Sequence, residues 1–551
     1  MYKAKDVTCS QMNFLAPYYY LEARTKNVIE NTVFGTFRGY ILPIIPQDHF
    51  ACLFSDSMGR PCTPVTTTFG ALMLQAHFNW TDDETVLNVL SDPKVQYALG
   101  VEYDPHVQFN DRTISRFLHD CLQYQMETGT DLIHDAITSI AASSCEIMGM
   151  KNGNLRFDTL LIEANMKKLT RPALLFVSVE RLVCCLHRLD LDDHLAEFTD
   201  FLDHEFYNRF LYHQTRAQSM TTEERYAFLI GKMVKLNALC LSFDGECGEK
   251  IRSLTEYSQL VRIMNEQTIE DGQGGRRLRT KEDGGFSSDM LQNPTCPDAT
   301  CIQKDKKLHK GFKAGVTEKV SEISVSDDPA DDKVKGSQIV AFVFDSNNVD
   351  DGDMGADMLR SLPRQEEGTK AVGDALFRGD NIEAAAEETG VELVTTALTG
   401  KAAPEIYAEF KFNEDGTVAE CPEGNEPLSS TVKADGRVDT RMPYGCCVNC
   451  EHREECKAKL HPRVENAELS VSQKSADRAK HQVEAGSQEG KERACFRNGI
   501  EAAPGYFRNF SRIDRLPVRD KGRAAQRFGF CVGGLNLKKL HQFLVRRGKC
   551  A

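Results

Sequence analysis

No run of about 18 apolar residues occurs anywhere in the 551 positions of the chain, so a membrane-spanning helix is not expected. The opening residues, MYKAKDVTCSQMNFLAPYYYLEARTK, lack the basic start, the apolar stretch and the small-residue cleavage site of an export signal. With no export signal, the nineteen cysteines are expected as reduced thiols or metal ligands rather than as a disulfide framework, and the expected compartment is the cytoplasm. An excess of positive charge is missing too. A net charge of −14 argues against a surface coated uniformly for nucleic acid. The positive charge is instead concentrated, because residues 491–551 hold fifteen Lys and Arg against four Asp and Glu. Such a segment either meets nucleic acid or forms a solvated basic face.

The composition, 41% hydrophobic and 27% charged, is that of a globular protein. The length suits about three or four units of roughly 100–200 residues. From Phe34 to about Met148 the pattern is helical and amphipathic. Pro64 and a Thr-rich turn precede FGALMLQAHFNW, and Thr81 with Glu84 forms a capping box before TVLNVLSDPKVQYALGV. In NDRTISRFLHDCLQYQ, residues Ile114, Phe117, Leu118, Cys121 and Leu122 fall on one helix face. The basic residues beside that seam fit either a helix-turn-helix or a plain helical bundle.

LRFDTLLI at 155–162 is apolar on both sides of Asp158, as in a buried strand. A lone carboxylate there is costly unless it pairs, binds metal or marks a strand end. A helical block follows, with Thr221 and Glu224 as another capping box, and then a Gly-rich, charged stretch from about 270 to 300 that reads as a connecting or substrate-facing loop. Cys296 and Cys301 lack the spacing of a metal knuckle. Strands are expected at 311–320 and 337–347, on either side of a solvated acidic run. KAVG, the helix NIEAAAEETG and the strand VELVTTAL then make an α/β alternation. Asp374 follows KAVG at the carboxyl end of its strand, where open sheets gather ligands, although it could equally cap the next helix.

Cys421, Cys446, Cys447, Cys450 and Cys456 form a cluster. Cys447 and Cys450 make a knuckle, Cys456 a third thiolate, and Cys421 could complete a tetrahedral zinc site, with Cys446 or His461 as substitutes. A closed site of that kind staples a subdomain and performs no chemistry. Free or redox-labile thiols are the other reading. Residues 466–492 are polar and read as a connector. The last sixty residues interleave Arg with Phe and Tyr and end in an amphipathic helix bearing Leu535, Leu537, Leu540, Phe543 and Leu544. This suits either nucleic-acid contact or a packed helix with a basic outer face.

FDTLLIEANMKKLTR, LQNPTCPDATCIQKDKKLHKGFKA, VGDALFRGDNIEAAAEETGVELVTTALTGK, the cysteine cluster and FRNGIEAAPGYFRNFSRIDRLPV, in that order, resemble transposases of bacterial insertion sequences with an Asp-Asp-Glu active site. The similarity is greatest to their long, cysteine-bearing branch with a helical N-terminal domain. The resemblance implies an α/β, ribonuclease-H-like catalytic core carrying a helical insertion and a small cysteine-rich insertion. It divides the chain into a helical, DNA-binding N-terminal domain (1–150), the first core strand (151–170), a helical insertion (171–285), the continued core (286–402), a cysteine-rich insertion with connector (403–490) and a Glu-bearing basic segment (491–551). Asp158, Asp374 and Glu501 become the catalytic acids, holding two Mg²⁺ or Mn²⁺ ions, and Cys421, Cys447, Cys450 and Cys456 the ligands of a structural Zn²⁺. Arg497, Arg508, Lys167 and Lys168 become DNA contacts. The implied reaction cuts the element's terminal inverted repeats and joins them to target DNA, with a homodimer on paired ends and a location on the nucleoid in the cytoplasm. Where relatives carry Tyr and Lys around the Glu, this chain has Ala494 and Arg508, and around the second acid it reads Asp374-Ala375-Leu376-Phe377. A catalytically inactive, transposase-derived DNA-binding protein is the alternative.

Overall fold

The computed structural model of the chain describes residues 2, 4–7, 17–55, 62–101, 109–151, 153–212, 220–272, 275–324, 333–396, 403–433 and 437–548. The acidic run SDDPADD (326–332) and the end of VELVTTAL lie outside the described residues.

The centre of the molecule is a sheet built on β1 (Asn154–Glu163). β2 (Thr300–Lys304) forms a hairpin with the start of β3 (Lys307–Ser324). β3 pairs antiparallel with the whole of β1, from Asn154↔Val320 to Glu163↔Gly311, and also with β4 (Lys333–Ser346). On the opposite edge of β1, β5 (Lys370–Gly373) runs parallel, followed by β6 (Glu392–Thr395), also parallel. The strand order is therefore β4-β3-β1-β5-β6. Parallel neighbours need crossovers, and these are the helices Asp351–Arg360, between β4 and β5, and Asp380–Thr389, between β5 and β6.

Coverage of β1 changes sides along its length. Leu155 and Phe157 are buried in a core with Ala356, Met358, Phe377 and Ile382, beneath those two crossover helices. Leu160 and Ile162, of opposite parity, are buried in the much larger core on the other face. Asp158 and Thr159 stand at the changeover. Gly373 is required beside them, because a Cβ there would come within 2.7 Å of the Phe157 ring.

The larger core is shared by the N-terminal helices, the sheet and the C-terminal helix. We label its helices α1 (Val65–Phe78), α2 (Asp111–Thr128), α3 (Leu132–Met148) and α4 (Lys521–Arg546). Two expectations change here. α1 is buried from Val65 to Ala76 rather than amphipathic, and α4 is buried on nearly all sides from Phe528 to Leu537. The cause is a close crossing of the two, in which a Cβ on Gly534 would lie 2.8 Å from the His77 amide nitrogen and Phe69 packs 5.1 Å from Phe530. α4 is thus a core helix, not a free basic tail. Its Asn536 bonds both the N–H and the C=O of Ile339, at 2.8 Å each, at the bulge where Val340 slips out of register in β4. On α2, Ile114, Phe117 and Cys121 face this core, as the spacing predicts.

Between β1 and β2 a helical block packs around its own core of Phe176, Leu182, Leu236 and Ile263. The Thr221/Glu224 capping box is present, with the Thr221 N–H 2.7 Å from Glu224 Oε2, as is that of Thr81 and Glu84. The stretch read as a loop contains a short strand pair, Thr268–Glu270 with Arg276–Leu278. After β6 a second unit holds a four-stranded antiparallel sheet ordered Ser429–Val432, Val438–Pro443, Asn466–Ser470, Lys459–His461. The stretch 466–492 is no mere connector. Its first residues are a central strand of this sheet, and the helix Gln473–Gly486 buries Ala476 and Ala479 against the unit; Ala467 and Leu469 alternate inward on a strand too short for its period to stand out in a polar sequence.

Candidate active site

Parallel pairing of β5 with β1, Leu155↔Ala371 and Arg156↔Val372, puts the residue after β5 next to the middle of β1. That residue is Asp374, and its neighbour on β1 is Asp158. Asp374 does not cap the following helix, which begins at Asp380 behind Gly379. It closes the tight turn after β5 instead, its Oδ1 accepting the Leu376 N–H at 2.9 Å. Glu501 arrives from the far end of the chain, in the 3₁₀ turn Gly499–Glu501 between the helices Gln488–Asn498 and Ala502–Asn509.

The three acids meet at one guanidinium. Arg497 Nη2 lies 3.3 Å from Asp158 Oδ1 and 3.8 Å from Asp374 Oδ2, and its Nη1 lies 3.0 Å from Glu501 Oε1. Arg497 and Asp158 are each mostly buried, Asp374 is one-third exposed and Glu501 opens to solvent. Burial pushes the Asp158 carboxyl above its usual range; the Arg497 charge and the Thr159 N–H (3.0 Å) oppose the rise, and the like charges of Asp374 and Glu501 add to it. Arg497 Nε has no hydrogen-bond partner. Among the described residues no group of three or more His, Cys, Asp or Glu side chains is disposed to hold a metal ion as it stands. In the acid cluster the convergence point is taken by the guanidinium.

A second charged group sits behind this one, and the sequence reading missed it. Arg156, two residues before Asp158 and on the same face, bonds Glu318 through Nε and Nη2, each 2.7 Å from Oε2, and Lys539 of α4 bonds the other carboxylate oxygen. Arg156 Nη1 also donates to the Phe496 carbonyl at 2.7 Å, and the guanidinium lies 5.4 Å from the Phe496 ring centroid. Phe496 precedes Arg497, so this network ties the Glu501 segment to the strand that carries Asp158. The signal was present in the alternation of LRFDTLLI, where a second charge falls at an inward position two residues from the acid.

Of the proposed DNA contacts, Arg508 lines a cleft of about 770 Å³ beside the acids, together with Thr159, Glu163, Lys304, Lys307 and Leu376. Lys168 is paired with Glu163 at 2.8 Å, and Lys167 stacks 4.8 Å from the Tyr207 ring of the helical block, so both are engaged within the protein. Ala494 lies on the helix before Glu501.

The cysteines Cys421, Cys446, Cys447, Cys450 and Cys456 line one small cavity with His452 and Met442. Cys447 and Cys456 are buried, and burial followed by the neighbouring thiols pushes them up to about 11 and about 12. His461 is not part of that lining; it lies 3.6 Å from Glu468. Cys296 is buried and donates to the Arg519 carbonyl, apart from Cys301 on β2.

No helix among the described residues is long and apolar enough to cross a membrane. No curated protein and no solved structure matches the chain. Two families do. The one described as "Transposase domain (DUF772)" matches residues 33–120, the helices that share the larger core. The one described as "Transposase DDE domain" matches residues 420–541, which include Glu501, Arg497, Arg508 and the cysteine cluster, while Asp158 and Asp374 lie outside it. Both matches are to transposase domains, and together they indicate similarity to DDE-type transposases of the insertion-sequence kind.

Proposed function

We propose that this chain cuts the ends of an insertion sequence and joins them to target DNA at a two-metal carboxylate centre formed by Asp158, Asp374 and Glu501. The observation that carries the reading is the meeting of three acids, more than 340 residues apart in sequence from first to last, around a single cation, Arg497. The strand order β4-β3-β1-β5-β6, three antiparallel strands followed by two parallel ones, with the acids on β1, after β5 and on a later helical segment, supports a ribonuclease-H-like core.

The donor set is all carboxylate oxygen, which suits Mg²⁺ or Mn²⁺. Two such ions, when bound by Asp158, Asp374 and Glu501, supply charge stabilisation to the attacking and leaving oxygens of an in-line displacement. The reaction is two successive phosphoryl transfers. Water attacks a phosphodiester phosphorus, the bond to the 3′-oxygen breaks, and a 3′-hydroxyl and a 5′-phosphate remain. That hydroxyl then attacks a phosphodiester of the target, forming one P–O bond as another breaks, and its proton passes to solvent. No side-chain nucleophile is required. Arg497, freed from the acids by a stronger cation, is placed to contact a phosphate of the incoming strand, and Arg508 to hold the same strand further along. The helices of residues 1–150 serve end recognition, with Arg112 and Arg116 on the exposed face of α2.

The cysteine set Cys421, Cys447, Cys450 and Cys456 is chemically suited to one structural Zn²⁺ within its small cavity, with Cys446 as the alternative to Cys447. Action as a homodimer on paired ends, on the nucleoid in the cytoplasm, completes the reading.

The test is a Mg²⁺- or Mn²⁺-dependent nicking and joining assay on the inverted repeats flanking the gene. Asp158→Asn, Asp374→Asn and Glu501→Gln should abolish cleavage and retain DNA binding. Strand transfer at wild-type level by Asp158→Asn would sink the assignment. A catalytically silent DNA-binding descendant is the second reading, favoured by the guanidinium that occupies the acid cluster; it requires binding to the ends with no metal-dependent nicking.

A further inference from the structure

We infer that the hairpin of β2 and β3 is a phosphate clamp: the cleft between it and Arg508 grips the backbone of the DNA strand that leads into the acid cluster. This rests on the reading above and adds the part of the chain that holds the substrate beside the site.

The cleft is an extension of the acid cluster. β5 ends at Gly373, and its register with β1 covers Leu155 and Arg156, so the edge of β1 beyond Asp158 has no strand beside it on that side among the described residues. Thr159, Leu161 and Glu163 of that open edge line the cleft, with Leu376 at its mouth two residues past Asp374. From Asp158 to Glu163 a strand advances about 17 Å, which is the axial rise of about five nucleotides at 3.4 Å each.

The far wall is the hairpin. Its register pairs Lys304 with Lys307 and Ile302 with His309, so these four side chains share one face, and all four line the cleft. Two lysines directly opposite each other destabilise a hairpin. Lys306 adds a third positive charge in the turn, where Asp305 (φ 50°) and Lys306 (φ 63°) both hold the left-handed conformation that hairpin turns normally give to Asn and Gly. Gln303 to Leu308 are exposed. Like-charge repulsion is thus concentrated at one exposed point, and a bound anion offsets it.

Among the described residues none of the acids lining the cleft forms an ion pair with these lysines. Glu163 is paired with Lys168 at 2.8 Å and Asp351 with Lys313 at 2.9 Å, Asp514 lies by Arg508, and Asp305 sits in the turn itself; Lys307 acts on Glu163 and Asp514 only at longer range. Among the described residues Lys304, Lys306 and Lys307 have no carboxylate within ion-pair distance. A row of cations without ion pairs on an exposed hairpin, starting where the carboxylates end, suits a polyanionic strand better than a small anion, which would need one enclosed point of charge rather than a row.

The experiment uses the full chain and a fluorescein-labelled duplex of mixed sequence with a single-stranded end, titrated by anisotropy between 50 and 200 mM KCl. Lys304→Ala/Lys307→Ala should lower the slope of log affinity against log salt by about two, because each lost phosphate contact removes about 0.9. The variant's affinity should therefore fall about tenfold less than that of the wild type over this range. A far-UV thermal melt verifies folding, and Lys232→Ala/Lys235→Ala in the helical block, with the same change of charge, should leave the slope unaltered. An unchanged slope in the hairpin variant, with DNA still bound, overturns the clamp and leaves the transposase reading standing. An equal loss in the control variant overturns it as well, since charge alone would then explain the effect. Failure of the wild-type chain to bind the duplex overturns both readings.

Discussion

Arg156 and Glu318 lie directly opposite each other in the β1–β3 register and are joined at 2.7 Å by two guanidinium nitrogens on one carboxylate oxygen, with Lys539 closing on the other. Glu318 is almost fully buried. Burial alone would raise its carboxyl, but Lys539 and Arg156 together outweigh that and hold it below the usual range. Breaking such a group from one side leaves buried charge without a partner.

Glu318→Gln should therefore cost about 3–5 kcal/mol in urea unfolding. The pH dependence has a definite sign. A folded-state value below the unfolded one contributes stability that is present above about pH 4.3 and is lost as pH falls through the folded value. The gap between wild type and Glu318→Gln should narrow on acidification over that window. A gap that stays constant down to pH 3 would mean that Glu318 is not held ionised by the pair.

Arg497 competes with metal for the same three carboxylates. Arg497→Ala should bind Mn²⁺ more tightly than wild type in the absence of DNA, by about tenfold or more if one ion pair worth about 1.4 kcal/mol is removed. Isothermal titration checks this. Weaker Mn²⁺ binding by the variant would show that the guanidinium assembles the site rather than occupying it.

Asp158 should make the metal-free fold less stable at neutral pH. Its folded value is raised, chiefly by burial, so its contribution is fully present below the unfolded value of about 3.9 and is lost as pH rises through the folded value. Asp158→Asn should raise the thermal midpoint of metal-free protein at pH 7, and the difference should disappear towards pH 4. Mg²⁺ should raise the wild-type midpoint and leave that of the variant unmoved. A variant less stable than wild type at pH 7 would place the Arg497 ion pair above the burial cost.

The parts of this fold that were legible in the sequence have local signatures. The Thr81/Glu84 and Thr221/Glu224 capping boxes, the helix face of Ile114, Phe117 and Cys121, and the strand around Asp158 each rest on spacing within one element. What could not be read depends on partners far away in sequence. α1 looked amphipathic because nothing in it announces that α4, some 450 residues later, covers its outer side at Gly533 and Gly534. The strand Asn466–Ser470 has two inward residues and no hydrophobic run, so its pairing with Val438–Pro443 is set by the sheet and not by its own composition. Arg497 was legible as a neighbour of Glu501, four residues away on a helical segment, but its contact with Asp158 arises from Arg156 gripping the carbonyl of Phe496.

The cysteine cavity offers the last prediction. Five thiols line it, and two of them are buried with raised values, a state that a bound Zn²⁺ would reverse by taking thiolates as ligands. Purified chain should carry one zinc per molecule by native mass spectrometry, and removal with a chelator should lower its thermal midpoint, because ligand binding to the folded state alone stabilises it. Cys456→Ser should lose the metal. Cys447→Ser and Cys446→Ser separate the two adjacent thiols, with loss expected for Cys447, the more buried of the pair. The unit itself should survive as a fold, since Val438, Met442, Ala467, Leu469 and Val471 supply an apolar core around Cys447 and Cys456. Metal-free protein with an unaltered midpoint in excess chelator would instead make these free thiols packed in that core.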